Sequence, residues 1–97
     1  MNSMHYVYIL RCADDTLYTG WTTDVERRVA VHNSGKGAKY TRARLPVELV
    51  YTEEFEDKIE PQKREYAIKQ LTRAGKEALI ESESDEDLHD PCLRFQK

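Results

Sequence analysis

The sequence predicts an α/β fold of the α+β kind, a small three-stranded antiparallel sheet flanked by helices. Three observations predict it. Residues 6–21, YVYILRCADDTLYTGW, read as two strands joined by a tight polar turn. Residues 46–55, PVELVYTEEF, alternate in the manner of a third strand. Capping-box patterns open helical spacing after the hairpin and again after the third strand.

Tyr6 to Leu10 is a β-branched and aromatic run, Ala13-Asp14-Asp15-Thr16 supplies turn chemistry, and Leu17 to Trp21 resumes the strand. Period two puts Tyr6, Tyr8 and Leu10 on one face of the first strand, with Val7 and Ile9 on the other. Tyr18, on the antiparallel neighbour, is placed to bring its hydroxyl near that of Tyr8. Taken alone, such a pair reads first as packing with a wet phenol edge.

After the hairpin, Thr23 as N-cap sets Glu26 at the third helical position, and Asp24 suits the positive end of the dipole. Val25, Val29 and His32 then form a stripe against the sheet. Arg28 and His32, four apart, point to one place. Asn33-Ser34-Gly35 ends this helix. Gly35 to Arg44, GKGAKYTRAR, reads as a surface loop or short helical turn. Its Lys36, Lys39, Arg42 and Arg44, with Tyr40 among them, suit a phosphate backbone, and equally a plain solvated connection.

In the third strand Val47, Leu49 and Tyr51 alternate against Glu48, Val50 and Thr52, and Pro46 suits an edge or first position. Asp57 and Glu60 form the second capping box, with Pro61 tolerated in the first turn. This helix runs through Ala67 and Leu71 and carries Glu65 among lysines and arginines. Thr72 caps a last helix, roughly Arg73 to Ile80, with Ala78 and Leu79 inward; Gly75 weakens it by about 1 kcal/mol relative to Ala. From Glu81 the chain turns acidic and serine-rich, ESESDEDLHDPC, and reads as a disordered tail. The organisation expected is one domain over residues 1–80 and a tail over residues 81–97.

A chain of 97 residues with 39% hydrophobic and 34% charged residues describes one soluble domain with a modest core. No apolar run approaches the roughly 18–20 residues of a spanning helix and no apolar leader opens the chain, so a cytoplasmic protein without membrane association is expected. Cys12 and Cys92 share no metal-binding spacing and read as reduced bystanders. The net charge of −3 is unevenly spread. Residues 21–45 hold 6 Lys/Arg against 2 Asp/Glu and residues 58–80 hold 6 against 3, whereas residues 81–97 hold 2 against 6. A polyanion-binding face is compatible with the acidic total, because local field outweighs net charge.

The order of these features resembles the GIY-YIG nuclease domain over about residues 5–80, closest to its small stand-alone, YhbQ-like members. Tyr6-Val7-Tyr8 stands at that family's first motif and Tyr18-Thr19-Gly20 at its second. Arg28 stands at the helix arginine, His32 one turn later, and Glu65 at the helical glutamate. GAKYTR (Gly37–Arg42) and KREYAIK (Lys63–Lys69) also match. The chain departs in its first motif, which reads YVY without glycine, and in Trp21 after Gly20. Asn2 and Asn33 are its only asparagines, so the family's asparagine downstream of the glutamate is missing.

The resemblance implies a metal-dependent DNA endonuclease acting in DNA repair or recombination, with Tyr8, Tyr18, Arg28, His32 and Glu65 as catalytic residues. Glu65, a lone carboxylate, would hold one hydrated Mg²⁺ or Mn²⁺. Arg28 would clamp the scissile phosphate bidentately. One of the two phenols would act as base, and the sequence leaves open which. His32 would assist proton transfer or bind phosphate. The alternative is a nucleic-acid-binding module of the same fold with weak or no catalysis, carried by the basic segments and favoured by the missing asparagine. So small a surface also leaves room for a protein partner or a homodimer.

Overall fold

The computed structural model describes residues 4–89. Its sheet has three strands, β1 (His5–Arg11), β2 (Leu17–Thr22) and β3 (Glu48–Phe55), in the order β2-β1-β3. Both pairings are antiparallel, with Tyr8 opposite Gly20 of β2 and Thr52 of β3. Four helices accompany it: α1 (Val25–Asn33), α2 (Lys39–Arg42), α3 (Ile59–Lys69) and α4 (Arg73–His89).

β1 is central, and its VYIL run (Val7–Leu10) is buried on both faces. Val7 and Ile9 pack with Tyr51, Ile68 of α3 and Ile80 of α4. Tyr8 and Leu10 pack on the opposite face with Cys12 and Val47, joined by Tyr18, Leu49 and Val29 of α1. Helices covering both sides explain why an antiparallel strand is apolar throughout rather than half polar. Cys12, just past β1, is a buried free thiol; Cys92 lies outside the described residues.

The turn after β1 closes through Cys12 N–H to Thr16 O (2.8 Å), and the Asp14 carboxylate accepts from the Thr16 hydroxyl (2.6 Å). Asp15 sits at φ 70°, a conformation short polar residues tolerate. The turn is tied to the start of α4: Arg73 donates to the Asp15 carbonyl (2.7 Å), and both Arg11 and Arg73 pair with Glu77 (3.2 and 2.7 Å).

The third strand does not keep the simple alternation expected of it. A register shift at Ile9/Leu10 pairs Ile9 with Tyr51 but Leu10 with Leu49, leaving Val50 as an extra residue. This bulge flips the strand. Leu49 therefore packs with Leu10 and Val47, while Tyr51 turns to the α3/α4 face. There its hydroxyl donates to Glu53, which also accepts from Arg64 of α3 through Nε (2.9 Å) and Nη2 (2.8 Å).

Helix ends differ from expectation in detail. Asp24, not Thr23, caps α1 by accepting from Arg27 N–H (3.1 Å), which leaves Glu26 in the first turn to favour the dipole without closing a capping box. Asp57 accepts from both Ile59 N–H (3.0 Å) and Glu60 N–H (2.8 Å), satisfying the start of α3. Thr72 caps α4 through Gly75 N–H (3.1 Å) as expected, but Ala78 faces outward, and Leu79 with Ile80 makes the contact with the sheet. α4 also runs to His89 rather than ending near Ile80. Once packing has nucleated a helix, each further residue is cheap to add, and Glu is a good helix former. Residues 81–89 thus have helical backbone where a disordered tail is expected, and the remainder of that tail lies outside the described residues.

Candidate active site

Tyr8 is held at the middle of the central strand with its ring lying over Gly20. A Cβ on Gly20 would stand 2.6 Å from Tyr8 Oη and 2.8 Å from Cζ, so only glycine lets the phenol cross β2 at this height. The Tyr8 hydroxyl lies 3.1 Å from His32 Nε2, and the other ring nitrogen of His32 lies 2.8 Å from Thr41 Oγ1. Thr41 in turn donates to the Ala38 carbonyl (3.0 Å).

With the Thr41 hydroxyl donating to the Ala38 carbonyl, Thr41 Oγ1 accepts from His32 Nδ1–H and Nε2 is left to accept from Tyr8 O–H; in the other tautomer the two ring nitrogens exchange roles. Tyr8, His32 and Thr41 are all buried. Gly37 seals the group: a Cβ there would meet His32 Nδ1 at 2.4 Å and His32 Cα at 2.9 Å.

Tyr18, opposite Leu10, brings its half-buried ring to 5.4 Å from that of His32 and 6.5 Å from that of Tyr8. Tyr40 stacks on its outer side at 5.9 Å, and the Arg44 guanidinium covers Tyr40 at 3.9 Å from the ring centre. Arg44 is further held by Asp14 (3.1 Å) and by the Tyr40 carbonyl (2.8 Å). Of the basic stretch, Lys36, Lys39 and Arg42 stay exposed, and Lys39, Tyr40, Arg42 and Arg44 border a shallow surface recess.

Electrostatics connect the two remaining residues. Burial pushes the Tyr8 phenol above its ordinary value of 10.0; the Arg28 guanidinium beside it pulls the other way, and the charges of Tyr18 and Glu65 add to the rise. His32 is held below its ordinary 6.5, first by burial and then by the positive charge of Arg28, so the imidazole is neutral at neutral pH. Arg28 is thus gathered with the phenols and the histidine. Glu65 projects from α3 and pairs with Lys69 one turn on (3.1 Å). Its charge also reaches Tyr8. Among the described residues no group of three or more His, Cys, Asp or Glu side chains gathers.

Thr41 and Gly37 are the members sequence reasoning passed over. Both lie in GAKYTR, where the cations draw attention to phosphate. The available signal was the lone hydroxyl three residues after Ala38, the spacing at which a Thr side chain bonds back to a helical carbonyl.

The model of the GIY-YIG catalytic domain matches residues 4–78. The chain belongs to the GIY-YIG family. Its relatives include a UPF0213 protein of Natronomonas pharaonis, 61% identical over 84 residues that cover 87% of this chain and 99% of the relative. A UPF0213 protein of Clostridium perfringens is 62% identical over 81 residues, covering 84% and 87%. Among solved structures, the solution structure of a UPF0213 protein from Bacillus halodurans matches with a TM-score of 0.53 at 55% identity, over 80% of this chain and 83% of that one. A protein from E. faecalis matches with a TM-score of 0.57 at 46% identity, over 84% and 90%. A GIY-YIG catalytic domain points to nuclease chemistry, and no helix among the described residues is long and apolar enough to cross a membrane.

Proposed function

We propose that this protein is a divalent-metal-dependent DNA endonuclease whose base is Tyr8 acting together with His32. The observation that carries this reading is the buried hydrogen bond between the Tyr8 hydroxyl and His32 Nε2, with Tyr18 and Arg28 beside it.

A phenol whose pKa is raised by burial keeps its proton and is a poor base by itself. Its hydrogen bond to His32 solves this. As the attacking water gives a proton to Tyr8 Oη, the proton already on that oxygen passes to His32 Nε2, leaving a neutral phenol and an imidazolium. The nascent hydroxide adds to phosphorus and the bond to the leaving sugar oxygen breaks. Arg28 clamps the non-bridging phosphate oxygens with its planar fork and steadies the charge that builds there. Tyr18 orients the water or the phosphate from the more open side. Glu65 would hold the metal, and one carboxylate fits Mg²⁺, an ion that keeps most of its waters and completes its shell from substrate phosphate. Bound there, such an ion supplies charge neutralisation at the leaving oxygen. Lys36, Lys39, Tyr40, Arg42 and Arg44 form the adjoining face for the DNA backbone, with Lys36, Lys39 and Arg42 the more available cations.

Incubation of the purified chain with branched, flapped and single-stranded DNA plus Mg²⁺ or Mn²⁺ tests this. Cleavage that is lost in both Arg28→Ala and Glu65→Ala ties the activity to this site. Cleavage unchanged in both assigns it to a contaminant. The second reading, a DNA-binding module without catalysis, is favoured by the engagement of Glu65 with Lys69. Salt-dependent binding with no cleavage under either metal selects it.

A further inference from the structure

We propose that Thr41 is a positioning residue that sets the tautomer of His32 and thereby makes Tyr8 able to shed its proton. This rests on the reading of Tyr8 and His32 as the proton-handling pair.

A neutral imidazole carries one proton and offers one lone pair, and which nitrogen has which depends on the partners of each. At His32 the decision falls 2.8 Å from Nδ1, to a hydroxyl that donates to the Ala38 carbonyl at 3.0 Å. In that arrangement Thr41 accepts from Nδ1–H, and Nε2 is the acceptor of the Tyr8 proton. The arrangement is walled in. His32 and Thr41 are both fully buried, so no water competes for Nδ1, and Gly37 brings the backbone close enough to exclude one. With a side chain that cannot accept at position 41, the Nδ1 proton is left buried without a partner. The cheaper state then moves that proton to Nε2, where it faces Tyr8. In that tautomer Tyr8 becomes the acceptor and has nowhere to send its proton. Tyr8 and His32 remain in place, but the transfer route is closed.

The test is the ring ¹⁵N spectrum of His32 in the full chain at neutral pH, together with cleavage of the DNA substrates above. The wild-type protein should show a protonated Nδ1 and an unprotonated Nε2. Thr41→Val should shift the ring toward the opposite tautomer and lower kcat by about 10²-fold with KM unchanged, the smaller end of what a positioned base contributes. Thr41→Ser, which keeps the acceptor, should restore both readouts. A wild-type ring protonated on Nε2 overturns the proposal without recourse to any variant, as does a Thr41→Val protein that retains the wild-type tautomer. A Thr41-dependent tautomer in a chain that cuts no DNA supports the role of Thr41 on His32 and counts against the nuclease reading alone.

Discussion

Gly20→Ala probes the site through a single methyl group. In the native structure that methyl would sit 2.6 Å from Tyr8 Oη and 2.8 Å from Cζ, against the 3.4 Å or more of ordinary contact. The end of the phenol must therefore retreat by roughly 0.8 Å, a far larger overlap than a packed interior absorbs freely. The hydrogen bond from Tyr8 to His32 is 3.1 Å long and ceases to be one beyond about 3.5 Å. A retreat of this size breaks it if directed away from His32 and collides with the ring if directed toward it. Overpacking costs roughly 1–3 kcal/mol, and a buried Nε2 without a partner adds about 1 kcal/mol or more. Against this, replacing Gly restricts the unfolded chain and returns about 0.4–1 kcal/mol. The net expectation is a loss of roughly 1–3 kcal/mol, or a fall in Tm on the order of 5–15 °C for a domain of this size. Thermal unfolding by circular dichroism, with the His32 ring ¹⁵N shifts as local readout, measures both parts. A variant that melts with the wild type and keeps its His32 spectrum would refute the claim that Tyr8 is seated by the absence of a side chain at position 20.

Three further outcomes are expected. Because burial and Arg28 hold His32 below its ordinary 6.5 in the folded state, the unfolded chain takes up this proton first as pH falls. Stability should therefore decline below pH 6.5, by at most about 1.4 kcal/mol per unit, until the folded ring itself titrates; denaturant midpoints that are flat from pH 6.5 to 5, or a slope that persists in His32→Gln, would contradict this. Arg28→Lys keeps the charge but loses the planar fork, so cleavage should fall about 10–10²-fold with Tm nearly unchanged; equal rates in the two proteins would remove the bidentate clamp from the mechanism. Glu53→Ala strips the acceptor from the buried Tyr51 hydroxyl and frees Arg64, at a cost of roughly 1–3 kcal/mol in chemical denaturation; Glu53→Gln, still an acceptor, should lose less, and equal losses would show that the carboxylate's geometry is immaterial.

The strands and helices were legible because their signals are local. The YVYIL run, the Asp14-Asp15 turn and the Asp57 and Thr72 caps each declare themselves within a few residues. What escaped depends on long-range packing. The bulge at Val50 exists because one edge strand must feed two cores, and alternation in PVELVYTEEF gives no sign of it. The choice of Asp24 over Thr23 as cap turns on which side chain reaches Arg27 N–H once the hairpin sets the chain's entry. At the site, Tyr8, Tyr18, Arg28 and His32 were recognisable as residue types, and folding gathers them. Thr41 was not, since a threonine among lysines and arginines acquires its meaning only when Gly37 buries it against His32. Tyr40 and Arg44, residue types that suit the outer surface, also form a stack that backs Tyr18.

The ties between the first turn and the start of α4 have a mechanical consequence. Asp15 and Glu77 are gripped by Arg73, and Glu77 by Arg11 as well, so the tip of the tyrosine hairpin is anchored to residues nearly sixty positions further along. This clasp is half exposed and ionic, which makes it the part of the scaffold most easily loosened by salt. Whatever grasps or displaces the beginning of that last helix pulls on the turn that joins the two strands bearing Tyr8 and Tyr18.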